Sequence, residues 1–107
     1  MTTIRVSSEG GKITGFSCKG HSGYAEEGSD IVCAAVSILT QTAVNALETV
    51  AGVKPIVRVR DGLLEARLPE TENHDAQVIL QSMVQGLRDI SEGYADYVRL
   101  ICSNENE

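Results

Sequence analysis

The sequence contains no tryptophan and few other aromatic residues, namely one phenylalanine and three tyrosines. This scarcity excludes a core built from large rings, so we expect a core made mainly of Ile, Val, Leu and Ala. With 107 residues the chain is long enough for one domain, 1–107, with a modest core. A chain of this size buries only about two-thirds of its unfolded surface, so dimerisation would help to stabilise it.

Basic residues are also scarce. Nine Lys and Arg stand against fifteen Asp and Glu, and the net charge is −6. This balance argues against direct nucleic-acid binding, which needs clustered cations to neutralise phosphates. It is compatible with a cationic protein partner.

The sequence lacks the usual marks of a secreted or membrane protein. No charged region followed by an apolar run opens the chain, and no apolar segment approaches the roughly 20 residues that cross a bilayer. Three cysteines are an odd number, which argues against a disulfide framework. We therefore expect a cytoplasmic protein with reduced thiols and no membrane partner.

Turn signals divide the chain into seven elements. Gly10-Gly11 and Asp61-Gly62 each predict a tight hairpin, and Gly52 and Pro55 end the first helix. We predict strands over 2–9, 12–19, 56–60, 63–68 and 97–102, and helices over 30–51 and 74–92. The order is ββαββαβ, which favours an α+β fold with a mixed sheet and two helices packed on one face.

The hairpins and helices also predict which side chains share a face. In the first hairpin Glu9 lies opposite Lys12, and the shared apolar face holds Ile4, Val6, Ile13 and Gly15. In the second, Arg58 opposes Glu65, and the core face holds Val57, Val59, Leu64 and Ala66. Helical periodicity selects Ile31, Ala35, Ile38, Leu39, Thr42, Ala46 and Val50 in the first helix. In the second it selects Ala76, Ile79, Leu80, Met83, Leu87 and Ile90.

Cys33 is the strongest candidate for chemistry because it lies in the first turn of the first predicted helix. If Asp30 caps that helix, Cys33 is its third residue, where the helix dipole and amide N–H groups stabilise a thiolate. The same N–H groups can form an oxyanion hole for acyl transfer. The alternative is that Cys33 is a small buried hydrophobic residue, and spacing alone favours neither interpretation.

His21 is the natural base for such a thiol, since it precedes Cys33 in a glycine-rich loop. Thiol chemistry needs a group that accepts and returns a proton near neutral pH. The other histidine, His74, is predicted to be a surface residue at the start of the second helix. A closing lid needs hinges, and the loop has Gly20, Gly23 and Gly28. The alternatives are a loop histidine without a role and glycines that only permit tight turns.

Three further residues are candidates for support of the site. Asp30 either orients His21 or only caps the helix, and capping is slightly favoured. Ser37 lies one turn after Cys33 on the same helix face, where its hydroxyl would bond a substrate or its own backbone. Tyr24 would contact a substrate when the loop closes, or would pin the loop.

The other motifs favour no additional chemistry. Cys18 and Cys102 lie in predicted strands and are consistent with packing. The His and Cys spacings match no zinc-ligand pattern, and no phosphate-binding glycine motif is present, so we expect no metal and no cofactor. A thiol redox protein is disfavoured because there is no Cys-x-x-Cys pair.

The segment GHSGYAEEGSDIVCAAVS, residues 20–37, closely resembles the signature of the ribosomal-processing cysteine protease family, the Prp proteases. The match is carried by Gly-His, Gly-Tyr-Ala and Asp-Ile-Val-Cys-Ala-Ala-Val-Ser. Chain length and the inferred element order agree with the family over essentially the whole chain. This signature is far more specific than an isolated histidine and cysteine.

The resemblance implies a homodimeric cytoplasmic endopeptidase. Such an enzyme removes a short N-terminal extension, after a hydrophobic segment ending in phenylalanine, from the precursor of a large-subunit ribosomal protein, the twenty-seventh by the usual numbering. By motif position, His21 would be the base and Cys33 the nucleophile. The main alternative is a non-catalytic ribosome-associated binding module, in which the loop is a binding lid and Cys33 a packed helix residue.

Overall fold

A computed structural model describes residues 1–21, 23, 25 and 30–104. The strands are β1 (Thr2–Glu9), β2 (Lys12–Lys19), β3 (Ile56–Arg60), β4 (Leu63–Arg67) and β5 (Val98–Asn104). The helices are α1 (Ile31–Thr49) and α2 (His74–Gly93). The predicted order ββαββαβ is confirmed, and each predicted boundary lies within two residues of the observed one.

The five strands form one mixed sheet in the order β3-β4-β2-β1-β5. All neighbours are antiparallel except β1 and β5, which are parallel. Ile4, Val6 and Phe16 on the central strands are buried together with residues of both helices. The core therefore lies between one sheet face and the helix pair, as predicted.

The first hairpin has the predicted turn but contains a bulge. Glu9 pairs with Lys12, and the register then shifts between Ser7 and Ser8. Gly15 pairs with Ser7, so the expectation that Gly15 shares the buried face of Val6 is wrong. An extra residue in one strand moves the next side chain to the other face.

The second hairpin has the predicted register, with Arg58 opposite Glu65. Val57 and Val59 lie on the helix side of the sheet, but they are 41% and 70% exposed. The expectation that they enter the core is therefore wrong. The reason is that β3 is an edge strand, and residues of the helices do not cover it.

Helix α1 buries a different face from the one predicted. The buried residues are Val32, Val36, Thr40, Ala43 and Leu47. Ile31 and Ile38 from the predicted stripe are 60% and 64% exposed. Apolar residues surround much of this helix, so periodicity alone did not identify the side that packs on the sheet. The exposed side lines a groove of about 350 Å³ between α1 and α2.

Helix α2 packs as predicted and is also tied to the sheet by a buried polar contact. Ala76, Leu80, Met83 and Leu87 are buried. The Gln77 side chain accepts from the Ile13 N–H at 2.8 Å and donates to the Ile13 carbonyl at 2.9 Å. A buried amide that is satisfied in this way fixes the position of a helix against its strand.

Helix α1 is also long and apolar enough to cross a membrane, judged by length and composition alone. Its mean hydropathy over an 18-residue window is 1.5. The expectation that no segment reaches this range is therefore wrong. In the fold this helix contacts α2 and contributes to the core beneath the sheet.

Candidate active site

Cys33 is the third residue of α1, and Asp30 caps the helix, as predicted. One carboxylate oxygen of Asp30, Oδ1, accepts from the N–H of Val32 at 3.0 Å and from the N–H of Cys33 at 2.9 Å. The other oxygen, Oδ2, accepts from the N–H of Ala25 at 3.4 Å. Asp30 is buried, and Cys33 is partly exposed. The cap therefore orients the first turn of α1, in which Cys33 is partly exposed.

The same contacts constrain an oxyanion hole at the start of α1. The amides of Val32 and Cys33 already donate to Asp30, and the Ala34 N–H donates to the Asp30 carbonyl at 3.0 Å. Val32 and Cys33 would therefore donate to an oxyanion only if the carboxylate released or shared them.

Cys18 lies close to Cys33, a relationship that the sequence interpretation missed. Cys18 packs against the core at the end of β2. Burial raises the pKa of the Cys18 thiol from 9.0 to about 11, and the charge of Cys33 adds to the rise. Cys18 therefore remains a neutral thiol at physiological pH. The sequence did contain one indication of this proximity, because Cys18 lies at the end of the strand that leads into the loop with His21.

His21 follows directly from that strand end. Chain geometry allows three residues to span at most about 10 Å, so His21 lies in the region of Cys18. The N–H of Gly20 donates to the Gly62 carbonyl at 2.8 Å, and the His21 imidazole lies beside Gly62. The ring is exposed. The β3–β4 turn therefore supports the residue at the start of the loop.

The backbone conformation at position 20 requires a glycine. Its φ is +94°, and an added Cβ would lie 2.5 Å from the Met1 carbonyl oxygen. Both facts exclude an ordinary side chain here. Gly20 thus has a structural reason to precede His21, separate from any role as a hinge.

The remaining predicted site residues fall into two groups. Gly23 has a φ of +74° and is exposed, and Ser37 is exposed one turn after Cys33. The Ser37 carbonyl accepts from the Thr40 hydroxyl at 3.2 Å. Tyr24 and Gly28 lie outside the described residues. Among the residues that are described, no group of three or more His, Cys, Asp and Glu side chains is placed to hold a metal.

Comparison with known proteins identifies the family. The model of the family described as cysteine protease Prp matches residues 1–99. The chain belongs to the Prp family of cysteine proteases. It is therefore a cysteine protease, and the resemblance found in residues 20–37 extends over most of the protein.

Two relatives support the same assignment. The ribosomal processing cysteine protease Prp of Staphylococcus aureus strain Mu50 is 35% identical over 103 residues, covering 94% of this chain and 97% of the relative. That of Bacillus subtilis strain 168 is 34% identical over 106 residues, covering 94% of each chain.

Solved Prp structures have the same fold. The S. aureus Prp with a covalently linked product peptide superposes with a TM-score of 0.93 at 34% identity, covering 96% of this chain and all of that one. The S. aureus Prp with a substrate peptide gives a TM-score of 0.87 at 33% identity, with the same coverage. The five-stranded sheet with two helices is thus the Prp fold.

Substitutions at Asp30 separate its capping role from an orienting role in this protease. Asp30→Asn keeps a side-chain oxygen that accepts from the amides of Val32 and Cys33, so we expect cleavage within several-fold of wild type. Asp30→Ala removes the acceptor and should lower the free energy of unfolding by about 0.5–2 kcal/mol. Denaturant unfolding and peptide cleavage measure the two effects. A stable Asp30→Asn variant with a large loss of turnover would instead indicate that the carboxylate charge acts in catalysis.

The raised pKa of Cys18 predicts a loss of stability at alkaline pH. The unfolded thiol ionises near pH 9.0, whereas the folded thiol holds its proton to about pH 11. Between these values the folded state binds more protons, so raising the pH in this window destabilises the fold. We expect the free energy of unfolding to fall less steeply from pH 9 to 11 in Cys18→Ala than in wild type. Cys102→Ala, at an exposed position, is the matched control, and equal slopes in all three proteins would contradict the prediction.

Proposed function

We propose that the protein is an endopeptidase that removes an N-terminal extension from a ribosomal protein precursor. The specific substrate that we propose is the precursor of the twenty-seventh protein of the large ribosomal subunit. Two observations support the proposal. The relatives are ribosomal processing proteases, and S. aureus Prp has been solved with a substrate peptide and with a covalently linked product peptide.

The proposed nucleophile is Cys33 and the proposed base is His21. The single observation that carries this assignment is the position of Cys33, partly exposed in the first turn of a capped helix beside the strand end that leads to His21. The helix dipole favours a thiolate at this position. Cys18 is the neighbouring thiol, but its raised pKa makes it a poor nucleophile.

The reaction proceeds in two halves. His21 accepts the proton of the Cys33 thiol, and the sulfur attacks the scissile carbonyl carbon to form a tetrahedral oxyanion. The C–N bond breaks as the imidazolium protonates the leaving amine, and a thioester remains. Water, deprotonated by His21, then attacks the thioester carbonyl. The C–S bond breaks, the imidazolium returns its proton to the Cys33 sulfur, and the carboxylic acid is released as the second product.

The loop that contains His21 is proposed to close over the bound peptide. Gly23 is exposed at a φ of +74°, a conformation that only glycine adopts readily. Binding of an extended apolar segment that ends in phenylalanine would close the loop and bring the imidazole to the thiol. Assembly of the site by its own substrate restricts cleavage to the correct peptide.

We also propose a cytoplasmic homodimer. The groove between α1 and α2 is lined almost entirely by apolar side chains, including Leu39, Ile79 and Met83. Ile38 and Val78 on its rim are 64% and 45% exposed. An exposed apolar surface of this kind on a small domain favours association with a second copy.

Ile38→Asp should dissociate this dimer. A carboxylate at the groove would have to be buried at the interface without a partner, which is strongly unfavourable. We expect sedimentation at micromolar concentration to give a monomer for the variant and a dimer for wild type. Val59→Asp, on the edge strand β3 and 70% exposed, is the control and should remain dimeric. A monomeric Val59→Asp beside a dimeric Ile38→Asp would place the interface on β3 instead.

The substrate proposal is tested with the purified protein, its Cys33→Ala variant and the extended ribosomal precursor. Product masses should show one cut near the precursor N-terminus, present only with wild type. A precursor that binds without being cut would favour the non-catalytic ribosome-associated module. A precursor that neither binds nor is cut would mean that this substrate does not apply to the chain.

A further inference from the structure

The sheet has a face that the helices leave uncovered, and the cations of this acidic protein are concentrated there. The strand register places six outward-pointing basic residues on it, namely Arg5, Lys19, Arg58, Arg60, Arg67 and Arg99. All six are exposed. We call this surface the open face. It carries six of the nine basic residues of the chain.

Carboxylates are fewer than cations at the paired positions of the same face. Three rows of paired outward residues cross the sheet through Thr3, Arg5 and Ser7. In these rows the sole acidic residue is Glu65, which lies between Ser17 and Arg58. Among the described residues, the one ion pair within 4.0 Å joins Lys12 and Glu72 at 3.3 Å, outside these rows. The net charge of −6 therefore conceals a positive surface on an otherwise strongly acidic molecule.

The spacing of the cations makes their fields add. Neighbouring strands lie about 4.8 Å apart, and alternate residues along a strand about 6.7 Å apart. Both distances are shorter than the Debye length of about 8 Å at physiological salt. Arg58 and Arg60, for example, are alternate residues of β3 and lie about 6.7 Å apart. Such a cluster attracts anions even on a protein of negative net charge.

The open face is also concave. One depression of about 700 Å³ is lined by the three arginines Arg5, Arg58 and Arg67 and by the three carboxylates Glu9, Glu65 and Glu70. A second of about 630 Å³ is lined by Arg5 and Lys19, and the two share Arg5, Ser17 and Glu65. The two depressions therefore meet at the centre of the open face.

We infer that the open face binds the phosphodiester backbone of single-stranded RNA. Arginine guanidinium groups bind phosphate oxygens with two parallel hydrogen bonds, and five of the six cations are arginines. Hydroxyls of Thr3, Ser7 and Ser17 lie between them and can donate to the same oxygens. The choice of RNA over DNA rests on the proposed role in ribosomal protein processing.

The composition of the face argues against an acidic peptide as the occupant. Protein interfaces draw most of their binding energy from aromatic or apolar anchors in central pockets. The outward positions of the described strand residues contain no aromatic residue. Their three apolar residues, Ile56, Leu63 and Ile101, lie on different strands and in different rows, so they form no central anchor. The absence of aromatic stacking surfaces also predicts binding without base preference.

The test measures binding of a fluorescein-labelled 20-nucleotide oligouridine by anisotropy at 50 mM salt. Arg67→Glu should weaken binding about 5- to 10-fold, and Arg58→Glu with Arg67→Glu by 30-fold or more, because each reversal removes one cation and adds one repulsive charge. Arg88→Glu changes the net charge equally from an exposed position on α2 and should alter affinity less than 2-fold. Raising the salt to 200 mM should weaken wild-type binding steeply.

Several results would overturn the inference. These are no binding by wild type at 50 mM salt, an Arg88→Glu effect equal to that of Arg67→Glu, or tighter binding of polyglutamate. Equal binding of oligothymidine DNA would overturn the assignment to RNA. Cys33→Ala should bind the RNA as wild type does, so the result does not depend on proteolysis. Circular dichroism melts check that the variants fold, and Arg58→Gln with Arg67→Gln provides a milder pair with the same direction of effect.

Discussion

Replacing Cys33 by alanine should abolish peptide cleavage, with a loss of at least about 1,000-fold, because the variant lacks the sulfur that forms the proposed thioester. The fold should remain stable, since Cys33 contacts the cap through its backbone N–H, which alanine retains. The measurement is turnover of a peptide that spans the precursor cleavage site, together with peptide affinity. Affinity should be nearly unchanged.

The two other cysteines are matched controls for this result. Cys102 is exposed on β5, so the Cys102→Ala variant should cleave the peptide at the wild-type rate. Cys18→Ala removes a packed thiol beside Cys33 and should retain turnover within several-fold, although it loses some stability. Wild-type cleavage by Cys33→Ala, or loss of cleavage only in Cys18→Ala, would transfer the nucleophile role away from Cys33.

Replacing His21 by alanine should lower kcat by about 100- to 10,000-fold, the usual contribution of a positioned acid–base group. The side chain is exposed at the start of the loop, so we expect little effect on the free energy of unfolding. Cys33 should still react slowly with iodoacetamide in this variant. Turnover and alkylation therefore report separately on the base and on the nucleophile.

His74→Ala is the control for the histidine. It is exposed at the first residue of α2 and should leave kcat unchanged. If His21→Ala retained wild-type turnover, the base would have to be another group. Rescue of His21→Ala by added imidazole would support a proton-transfer role, since a merely structural residue would not respond to a free base.

The elements that the sequence predicted best are those with short-range causes. Gly-Gly and Asp-Gly fix both hairpins because their turns need positive φ, and Gly10, Gly11 and Gly62 all have it. The register then follows from the turn length, as the pairs Glu9–Lys12 and Arg58–Glu65 confirm. Asp30 begins α1 as its N-cap for the same local reason.

The mistaken predictions concern burial, which depends on partners distant in sequence. The exposed side of α1 also has large apolar residues, so the packing of the helix decided that Val36 is buried and Ile38 exposed. Val59 is exposed because β3 lies at the sheet edge. The bulge at Thr14, whose hydroxyl donates to the Ser7 carbonyl at 3.2 Å, left no signal in the local pattern.

By itself, the sequence determined the order of elements, the hairpin turns, the cap at Asp30 and a family signature with its candidate thiol and base. All of these depend on residues close together along the chain. Only the tertiary structure placed Cys18 close to Cys33 and His21 beside the β3–β4 turn. It also placed the arginines of four strands on one face of the sheet. Strand pairing joins residues that are far apart in sequence, and neither net charge nor local periodicity contains that information.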